Sequence, residues 1–560
     1  MYFSAPWLAH YEDIPPAISY PDYSMYEQLR LAAQANPNAC AYSFFGKKTT
    51  YKKFLARIDL AAQGLMALGI AKGDRVTICM PNMPQALECF YALNRLGAVA
   101  NMAHPLCAPE ELRFYLQASN SKLALTLDQY FDKTFEATQR LTFPCQVLTV
   151  KSCQALPKVK KLLHTCKKQA CKLPLSGHIP WELVLKLGRG KPLPPDTGRG
   201  QDAAAILYSG GTTGKAKGVV LSNSNFNALA LQTAAICGFA DLADKKMLAL
   251  LPIFHGFGLG IGIHAPLSVG ASCILLPRFH ERDFLRVLKK EKPNMIPGVP
   301  ALFEAFLELP GLKHTDLSFL MGLFCGGDAL QPDLKKRFDS FLKDHKCSEQ
   351  LRQGYGLTEC ASATCLNPRH KYREGSAGIP FPDTLYGIFT PDTHTPVKPG
   401  DEGEICISGP TVMLGYLDSP EETAKALQVH PDGKTWLHTG DLGHMDEEGF
   451  VYFHQRRGRM ILCNGYNIYP CQLEEALVSF AGVQDACVIG TPDPKKGQIP
   501  KAFVVLKKGI LPDENTRQAI LAHCSKHIAA YAIPKEIVFL PSLPKTALGK
   551  TDYRALEDKL

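Results

Sequence analysis

Apolar positions along the chain alternate between short continuous runs and longer segments with a helical spacing. Short apolar runs bounded by Gly, Pro or polar residues predict buried strands, and the longer amphipathic segments predict helices. The predicted strands are residues 75–80, 123–127, 146–150, 203–208, 248–251, 273–276 and 320–324. The predicted helices between them include residues 85–96, 283–290 and 332–343. This alternation is typical of α/β architecture with largely parallel sheets.

The pattern changes after residue 457. Residues 458–560 predict a small α+β domain, with helices at 472–480 and 515–527 and strands at 486–489, 502–506 and 536–539. Residues 1–457 predict a large N-terminal domain built from several α/β subdomains. A chain of 560 residues is too long for one compact core, so at least two domains are expected.

A basic segment at residues 151–191 interrupts the alternation. Its lysines are interspersed with leucines and are Lys151, Lys158, Lys160, Lys161, Lys167, Lys168 and Lys172. A basic amphipathic segment can lie on an anionic membrane surface. The other interpretation, a solvated basic insertion, remains open.

The composition is typical of a globular protein, with 46% hydrophobic and 21% charged residues. A net charge of +9 spread over 560 residues does not indicate a nucleic-acid partner. The chain has neither a long uncharged apolar run nor a basic leader, which predicts a cytoplasmic protein. Peripheral association with the inner face of a membrane through the basic segment is the alternative.

The nineteen cysteines do not form a metal-binding pattern. Cys166 and Cys171 are spaced C-x4-C, and no second His or Cys pair nearby completes a zinc site. Others, such as Cys273, Cys325 and Cys406, lie in apolar strand-like runs. We therefore interpret them as reduced thiols in the core of an intracellular protein.

The loop between Tyr208 and Gly218 is the strongest chemical signal in the sequence. It combines glycines, hydroxyl side chains and two lysines directly after a predicted strand, a composition that suits a polyphosphate. It is not the P-loop G-x-x-x-x-G-K-[ST], because Ser209 replaces the first glycine and Ala216 follows Lys215.

This loop closely resembles the phosphate loop of the acyl-adenylate-forming, AMP-binding superfamily, which includes acyl-CoA synthetases, luciferases and the adenylation domains of peptide synthetases. The Gly-Gly form is similar to that of long-chain fatty acyl-CoA ligases. The resemblance implies that Thr213 takes part in catalysis. It also implies that the nucleotide contacts Ser209, Gly210, Gly211, Thr212, Thr213, Gly214 and Lys217.

Two further motifs resemble the nucleotide-binding segments of the same superfamily. In the stretch 353–359, the resemblance implies that Tyr355 stacks on adenine, Thr358 contacts the α-phosphate and Glu359 holds Mg²⁺. A carboxylate is the kind of ligand that a hard cation prefers. The stretch 325–330 resembles the segment that lines the adenine face, which implies nucleotide contacts by Gly326, Gly327 and Asp328. Gly354 and Gly356, in the first stretch, are also implied to contact the nucleotide.

The C-terminal part of the chain continues the family order. The resemblance implies that Asp441 and Arg456 bind the ribose, with Phe453 near the nucleotide, and that Lys550 is catalytic in adenylation. Gly458 takes the hinge position, where the family usually has Lys or Asp. Glycine tolerates the backbone change that a domain rotation requires. Gly465 and Tyr466 resemble the segment that lines the path of coenzyme A.

The stretch 251–258 resembles the acyl-pocket motif, with His255 where relatives that activate amino acids place an Asp. An amino-acid substrate is therefore not expected. Helical spacing predicts that Gly256 aligns with Gly260, leaving an apolar groove. Such a groove suits a fatty acid of medium to long chain. An aryl or alicyclic acid remains an alternative.

Together these motifs predict an ATP-dependent fatty acyl-CoA ligase that uses ATP, Mg²⁺ and coenzyme A. It would form acyl-AMP and pyrophosphate, then acyl-CoA and AMP. One alternative is an acyl-AMP ligase that loads an acyl carrier protein. Another is a peripheral membrane-binding protein without catalysis, which the presence of Glu359, Asp441 and Lys550 argues against.

Overall fold

The computed structural model describes most of the chain. The described residues are 5–157, 177–209, 216–237, 242–459, 461–463, 466–468, 470–493, 497–525, 528, 532–546 and 551–558. For residues 455, 458, 462, 466, 467, 471, 472 and 497 the description is confined to the backbone.

Strands are numbered in chain order through the described residues. They are β1 Cys40–Phe44, β2 Lys47–Thr50, β3 Arg75–Cys79, β4 Val99–Met102, β5 Leu123–Leu127, β6 Gln146–Val150, β7 Ile179–Pro180, β8 Ala203–Ser209, β9 Lys217–Ser222, β10 Lys246–Ala249, β11 Ser272–Leu275, β12 Met295–Gly298, β13 Gly322–Cys325, β14 Leu351–Gly356, β15 Ala363–Leu366, β16 Ile379–Pro380, β17 Leu385–Phe389, β18 Gly403–Ser408, β19 Gly415–Tyr416, β20 Leu427–Val429, β21 Thr435–Met445, β22 Val451–Arg456, β23 Ile461–Cys463, β24 Tyr466–Ile468, β25 Val483–Asp493, β26 Gly497–Leu506 and β27 Glu536–Phe539.

The helices of the described residues are of three kinds. The α-helices are Met25–Ala35, Tyr51–Ala67, Pro84–Arg95, Pro109–Ser119, Phe131–Gln139, Trp181–Gly188, Asn223–Ile236, Ala265–Ser268, Glu281–Arg286, Pro300–Leu307, Pro332–Asp344, Pro420–Ala426, Pro470–Val478, Glu514–Cys524 and Arg554–Glu557. The 3₁₀ helices are Pro6–His10, Asp128–Tyr130, Thr358–Cys360 and Arg457–Arg459. Phe257–His264 and Val287–Glu291 are π-helices.

The chain divides into two compact units. Unit 1 comprises Met1–Tyr386, Ile407–Leu437 and Glu448–Phe450, and unit 2 comprises Gly387–Cys406, His438–Glu447 and Val451–Leu560.

Unit 1 contains two large mixed sheets. The eight-stranded sheet has the order β19-β9-β8-β4-β3-β5-β6-β7, and its pairs are parallel from β8 to β7. The nine-stranded sheet has the order β16-β15-β14-β13-β12-β10-β11-β1-β2, with parallel pairs from β14 to β1. The predicted α/β architecture with largely parallel sheets is therefore confirmed.

Two smaller sheets complete the fold. One has the order β17-β18-β21-β20, with β22 paired to β21, and the other has the order β24-β23-β26-β25, with β27 paired to β26. In unit 2 the second of these sheets packs on the helices Pro470–Val478 and Glu514–Cys524, through a core that includes Leu477, Val504 and Ile520.

The cysteines, the apolar segments and one predicted helix can be compared with the structure. The cysteines whose side chains are described are free thiols, and most are buried, including Cys273, Cys325 and Cys406. Within the described chain, no helix is long and apolar enough to cross a bilayer. The predicted helix 283–290 is an α-helix, Glu281–Arg286, that continues as a π-helix, Val287–Glu291. The wider i→i+5 turn is not encoded in a 3.6-residue hydrophobic spacing.

Candidate active site

A β-hairpin in unit 1 carries the phosphate-loop motif. Strands β8 and β9 pair antiparallel, and Ser209 is the cross-strand partner of Lys217. The four buried residues of β8, Ala204, Ala205, Ile206 and Leu207, hold this strand inside the sheet, beside β4. Ser222 ends β9 and caps the following helix, accepting a hydrogen bond from Asn225 N at 3.1 Å. The hairpin therefore fixes the two described ends of the loop, Ser209 and Lys217.

Glu359 is the centre of a hydrogen-bonded cluster. Ser209 Oγ donates to Glu359 Oε1 at 2.9 Å, and Tyr416 OH donates to the same oxygen at 3.0 Å. Ser209 ends a strand of the eight-stranded sheet, and Glu359 follows a strand of the nine-stranded sheet. The sequence motifs at Ser209 and Glu359, 150 positions apart, thus meet at one carboxylate.

The backbone around Glu359 is constrained. Glu359 lies in the 3₁₀ helix Thr358–Cys360, and its carbonyl accepts a hydrogen bond from Met413 N at 2.8 Å. The next turn places Ala361 at φ 59°, in the left-handed region that non-glycine residues rarely occupy. Such strain is held by surrounding structure and is common at functional sites.

Lys217 forms an ion pair with a carboxylate. Its Nζ pairs with Glu422 Oε2 at 2.6 Å and lies 4.9 Å from the centre of the Tyr416 ring. The hydrogen bonds from Lys217 and Lys425 lower the pKa of Glu422 to about 2. Lys217 is therefore held by an anionic partner of the kind that a phosphate would replace.

The glycines near residues 326 and 355 that are predicted to contact the nucleotide have distinct local roles. Gly327 has φ +82°, a backbone conformation that favours glycine. A Cβ at Gly354 would lie 2.8 Å from the Cys365 carbonyl oxygen, and one at Gly356 would lie 1.9 Å from that of Ser362. These two glycines therefore permit close pairing of β14 and β15. Asp328 is exposed.

The carboxyl ends of β13 and β14 lie side by side, because the two strands are parallel neighbours. A Cβ at Gly326 would lie 3.5 Å from the Gly354 carbonyl oxygen, so the residue after β13 contacts the C-terminal part of β14. Tyr355, near the end of β14, and Thr358, just after it, are half-buried. Ligands of parallel sheets bind at this kind of edge.

His255 lies within the predicted acyl-pocket stretch, residues 251–258. Its Nδ1 accepts a hydrogen bond from Phe257 N at 3.2 Å, and the side chain is half-buried. A Cβ at Gly256 would lie 1.8 Å from the Ala361 carbonyl oxygen. The segment therefore touches the strained turn after Glu359.

The predicted open groove along Gly256 and Gly260 differs from the structure. The segment Phe257–His264 is a π-helix, so a 3.6-residue alignment of the glycines does not hold. A Cβ at Gly260 would lie 2.5 Å from Leu229 Cδ2, so a side chain already occupies the space beside it. Backbone fills the space at Gly256, whereas a flexible side chain fills it at Gly260.

In unit 2, Asp441 and Arg456 are neighbours on paired strands. They are cross-strand partners in β21 and β22, and Arg456 Nε lies 3.2 Å from Asp441 Oδ1. The Asp441 side chain is 3% exposed, and the Arg456 side chain is 47% exposed. Phe453, on the same strand as Arg456, is 38% exposed.

Glu404 supports the turn that carries Asp441. Its Oε1 accepts from Gly440 N at 3.0 Å, and its Oε2 lies 3.0 Å from His438 Nδ1. Thr439 Oγ1 donates to the Ile405 carbonyl at 2.6 Å and accepts from Asp441 N at 3.0 Å. Glu404 and Ile405 of strand β18 therefore hold the turn before Asp441 through hydrogen bonds to Gly440 and Thr439.

The remaining predicted residues are only partly described. Gly458 lies in the 3₁₀ helix Arg457–Arg459, and Tyr466 begins β24, each described by its backbone alone. Seven predicted site residues lie outside the described residues, namely Gly210, Gly211, Thr212, Thr213, Gly214, Gly465 and Lys550.

Sequence reasoning missed three residues that organise these clusters. They are Tyr416, which donates to Glu359, Glu422, which pairs with Lys217, and Glu404, which holds the turn before Asp441. Nothing in the local pattern of Glu404 or Glu422 distinguishes them from surface carboxylates.

The Glu359 cluster can hold a hard cation. Both hydroxyl donors use Oε1, and among the described residues no side chain or amide donates to Oε2. That oxygen can therefore serve as a ligand, and oxygen ligands suit Mg²⁺. With Lys217 beside it, the cluster combines a potential cation site and a cationic side chain, which is the chemistry that polyphosphate binding requires.

Comparison with known proteins identifies the class. The AMP-binding enzyme model matches residues 29–417, and the model of the AMP-binding enzyme C-terminal domain matches residues 472–550. The chain therefore belongs to the AMP-binding enzyme family. It is, more narrowly, an AMP-forming acid–CoA ligase, for which ATP and coenzyme A are the nucleotide and the acyl acceptor.

Named relatives and solved structures agree with this class. A long-chain-fatty-acid–CoA ligase of Bacillus subtilis is 35% identical, over 98% of this chain and 97% of its own. A fatty acyl CoA synthetase of Mycobacterium tuberculosis is similar in structure, with a TM-score of 0.72, 26% identity and coverage of 96% and 98%. An anthranilate CoA ligase in complex with anthranoyl-AMP shares the fold, with a TM-score of 0.81, 22% identity and 98% coverage of both chains.

Proposed function

We propose that this ligase acts on fatty acids of medium to long chain. The observation that carries the proposal is the 35% identity, over nearly the whole chain, to a relative named as a long-chain-fatty-acid–CoA ligase. The apolar π-helix Phe257–His264 supports it, since its residues 258–263 are buried glycines, leucine and isoleucines without a charged group. An aliphatic chain would find no polar group to desolvate along those residues.

The proposed reaction has two steps. First, a carboxylate oxygen of the acid attacks the α-phosphorus of ATP, the bond to pyrophosphate breaks, and acyl-AMP forms. Then the thiol sulfur of coenzyme A attacks the acyl carbon, AMP leaves, and the thiol proton passes to solvent. The chain contributes positioning and charge rather than a covalent nucleophile.

The nucleotide contacts follow from the positions of the described residues. Thr358 and Tyr355 lie at the end of β14 next to Glu359, in reach of a nucleotide bound at that sheet edge. Lys217 leaves Glu422 to contact a phosphate. Glu359 would hold Mg²⁺, which supplies neutralising charge to the phosphates when bound. Ser209 and Tyr416 orient the Glu359 carboxylate through their hydrogen bonds.

For the C-terminal residues the proposal rests on the family pattern. Asp441 and Arg456 would bind the ribose, with Phe453 nearby. We place the domain boundary at residue 457/458, so that Gly458 serves as the hinge between a large N-terminal domain and a small C-terminal domain. Gly465 and Tyr466 would line the path of coenzyme A, and Lys550 would act in adenylation.

The direct test is a product assay with ATP, Mg²⁺, coenzyme A and a panel of acids. We expect the acyl-CoA thioester, detected by mass spectrometry, to form fastest with unbranched acids of medium to long chain. Acyl-AMP without thioester, except when a carrier protein is added, would favour a ligase that loads a carrier protein. Equal or faster turnover of benzoate-type acids would favour an aryl acid.

An aryl or alicyclic acid is the second candidate, and the position of Leu229 favours it. With Leu229 Cδ2 beside Gly260, the space along the π-helix ends at a side chain and suits a compact acid. A long acyl chain requires Leu229 to turn away. The two candidates therefore differ in whether Leu229 moves.

Shortening Leu229 should shift substrate preference toward longer acids. Leu229→Ala empties the space beside Gly260, and each further methylene buried there contributes about 0.8 kcal/mol. The ratio of kcat/KM for long over medium acids should rise roughly tenfold if two more methylenes fit. Gly260→Trp, which must displace Leu229, should shift the preference toward shorter acids.

Leu65→Ala is the matched control for this experiment. Leu65 is also fully buried, on the helix Tyr51–Ala67, so its truncation reproduces the loss of packing without changing the space beside Gly260. An unchanged chain-length profile in both Leu229→Ala and Gly260→Trp, with activity retained, would show that the acyl chain does not pass Gly260.

We also propose that the basic segment at residues 151–191 contacts anionic membranes. Most of its lysines lie outside the described residues, so the support comes from charge and from the helix that follows. That helix, Trp181–Gly188, exposes Leu183 and Leu187 at 43% and 39%, one helical turn apart. Exposed apolar groups beside clustered lysines are the combination that interfacial segments use.

Neutralising the segment should weaken vesicle binding. Each lysine near an anionic surface contributes about 1 kcal/mol. Replacing Lys158, Lys160, Lys161, Lys167 and Lys168 with glutamine should lower the partition coefficient on phosphatidylserine-containing vesicles by more than roughly tenfold at low salt. Turnover of soluble short acids should be unchanged.

A control variant should lose the same number of exposed lysines elsewhere. Suitable positions are Lys336, Lys346, Lys398, Lys434 and Lys507. If both variants bind vesicles equally well, general positive charge rather than this segment accounts for the binding, and the membrane proposal fails.

A further inference from the structure

Two cysteines outside the nucleotide site lie against the same backbone carbonyl. Cys79 ends β3, and Cys107 lies in the loop that follows β4, the parallel neighbour of β3. Cys79 Sγ lies 3.7 Å from the His104 carbonyl oxygen, and Cys107 N donates to the same oxygen at 3.1 Å. The two residues are therefore held together by the fold.

The two thiols also interact with each other, and their pKa values are shifted in opposite directions. A hydrogen bond from the Cys79 thiol to the Cys107 sulfur lowers the pKa of Cys107, and the Lys133 ammonium acts in the same direction. The same bond, together with complete burial, raises the pKa of Cys79 well above its usual value. Lys133 Nζ is held in place by donating to the Cys107 carbonyl at 2.9 Å. Cys107 is thus the more nucleophilic of the pair.

Access from solvent also favours Cys107 as the thiol that reacts first. Cys107 is 6% exposed, whereas Cys79 is fully buried, and the residue before Cys107, Leu106, is 69% exposed. A small oxidant can reach Cys107 with a minor movement of this surface loop. Cys79 is then in position behind it as the resolving thiol.

The pair is connected to the phosphate loop. Cys79 and Cys107 belong to one buried cluster, against which Tyr208 and Ala216 pack. These two residues lie immediately before Ser209 and immediately before Lys217, on either side of the loop. Because β3, β4 and β8 are parallel neighbours, their carboxyl ends share one sheet edge. A covalent change at Cys79 would therefore displace the residues that pack against it at the start of the phosphate loop.

We propose that Cys79 and Cys107 form a reversible disulfide on exposure to hydroperoxides, and that this disulfide inhibits adenylation. The Cys107 sulfur attacks one oxygen of hydrogen peroxide and the O–O bond breaks. The other oxygen leaves as water with the proton that the thiol lost. The Cys79 sulfur then attacks the resulting sulfenic acid, the S–S bond forms, and a second water leaves. Two thiols are oxidised and one peroxide is reduced.

The inhibition follows from the shorter distance between the sulfur atoms. A disulfide holds them about 2.05 Å apart, closer than any hydrogen-bonded contact between thiols. Forming it pulls the loop after β4 toward the end of β3 and shifts the cluster on which Tyr208 packs. Intracellular disulfides of this kind are usually transient and redox-sensing.

The experiment uses the reduced full-length protein treated with hydrogen peroxide. We expect non-reducing peptide mapping to find a Cys79–Cys107 cross-link. Pyrophosphate exchange should fall by most of its initial rate and return after dithiothreitol. Cys107→Ala should keep its activity in peroxide, and Cys79→Ala should accumulate a sulfenic acid at Cys107, trapped by dimedone.

Cys145→Ala is the matched control. Cys145 is a half-buried thiol packed against the same cluster, so this variant should be inhibited and cross-linked like the parent protein. The proposal is overturned if the parent protein forms no Cys79–Cys107 cross-link, if the cross-linked protein keeps its exchange rate, or if Cys145→Ala protects as well as Cys107→Ala does. The peptide map of the parent protein decides the first point even if a variant fails to fold.

Discussion

Replacing Glu359 with glutamine should slow acyl-AMP formation by at least roughly a hundredfold. The amide keeps the size of the side chain, and its oxygen can still accept from Ser209 and Tyr416. It removes the negative charge that we propose holds Mg²⁺, and a bound cation contributes several kcal/mol of charge stabilisation to phosphoryl transfer. Pyrophosphate exchange measures the loss, and Mn²⁺ binding followed by electron paramagnetic resonance measures cation affinity separately.

Two milder variants separate the charge of Glu359 from its orientation. Ser209→Ala and Tyr416→Phe each remove one hydrogen bond to Oε1 and leave the carboxylate charged. Each should cost about 1 kcal/mol, or less than tenfold in rate. If Glu359→Gln keeps more than half of the exchange rate and normal Mn²⁺ affinity, Glu359 is a structural carboxylate that joins the two sheets, and the cation site lies elsewhere.

Replacing Lys550 with alanine should abolish adenylation but spare thioester formation. Negative charge shifts on the phosphates as pyrophosphate leaves, and a cation about 4 Å away interacts with a unit charge by roughly 4 kcal/mol at an effective dielectric constant of 20. Loss of that interaction corresponds to roughly a thousandfold in rate. The second step starts from acyl-AMP, and we propose that the C-terminal domain has by then rotated on Gly458 and carried Lys550 away.

The reciprocal variant is Gly465→Leu, which should block the coenzyme A path and spare adenylation. Pyrophosphate exchange and thioester formation from synthetic acyl-AMP measure the two steps independently. Both residues lie outside the described residues, so the expectation rests on their sequence motifs. Equal damage to both steps by Lys550→Ala would favour a single fixed active site.

Much of the fold was predictable because buried parallel strands appear in the sequence as short continuous apolar runs. The predicted strand at 123–127 is β5, the one at 146–150 is β6, and the one at 75–80 is β3 with one residue fewer. Strand pairing could not be predicted in the same way. Nothing in the local pattern states that β8 pairs with β4 or that β1 pairs with β11.

The site was predictable where a motif is contiguous and unpredictable where the contact is distant. Ser209 and Glu359 each belong to a recognisable stretch, and the structure brings them together. Glu422 comes 205 positions after Lys217, in a helix whose sequence is that of an ordinary surface helix. The π-helix at Phe257–His264 was missed because alternating Gly and Ile satisfy several helical periods at once.

The contact between Gly256 and Ala361 limits how this enzyme can be redesigned or can diverge. The missing side chain at Gly256 accommodates the carbonyl of Ala361, the strained residue two positions after Glu359. Any larger residue at Gly256 pushes on the turn after Glu359, so under the proposed function a change aimed at the acyl pocket would also disturb the carboxylate that we propose holds Mg²⁺. Gly262 is different, because a Cβ there would meet only the Phe257 carbonyl oxygen, at 3.7 Å. Under the proposed function, new acid specificities are therefore more accessible through Gly262 or Leu229 than through Gly256, where the space is filled by a backbone carbonyl that no side-chain substitution at Ala361 removes.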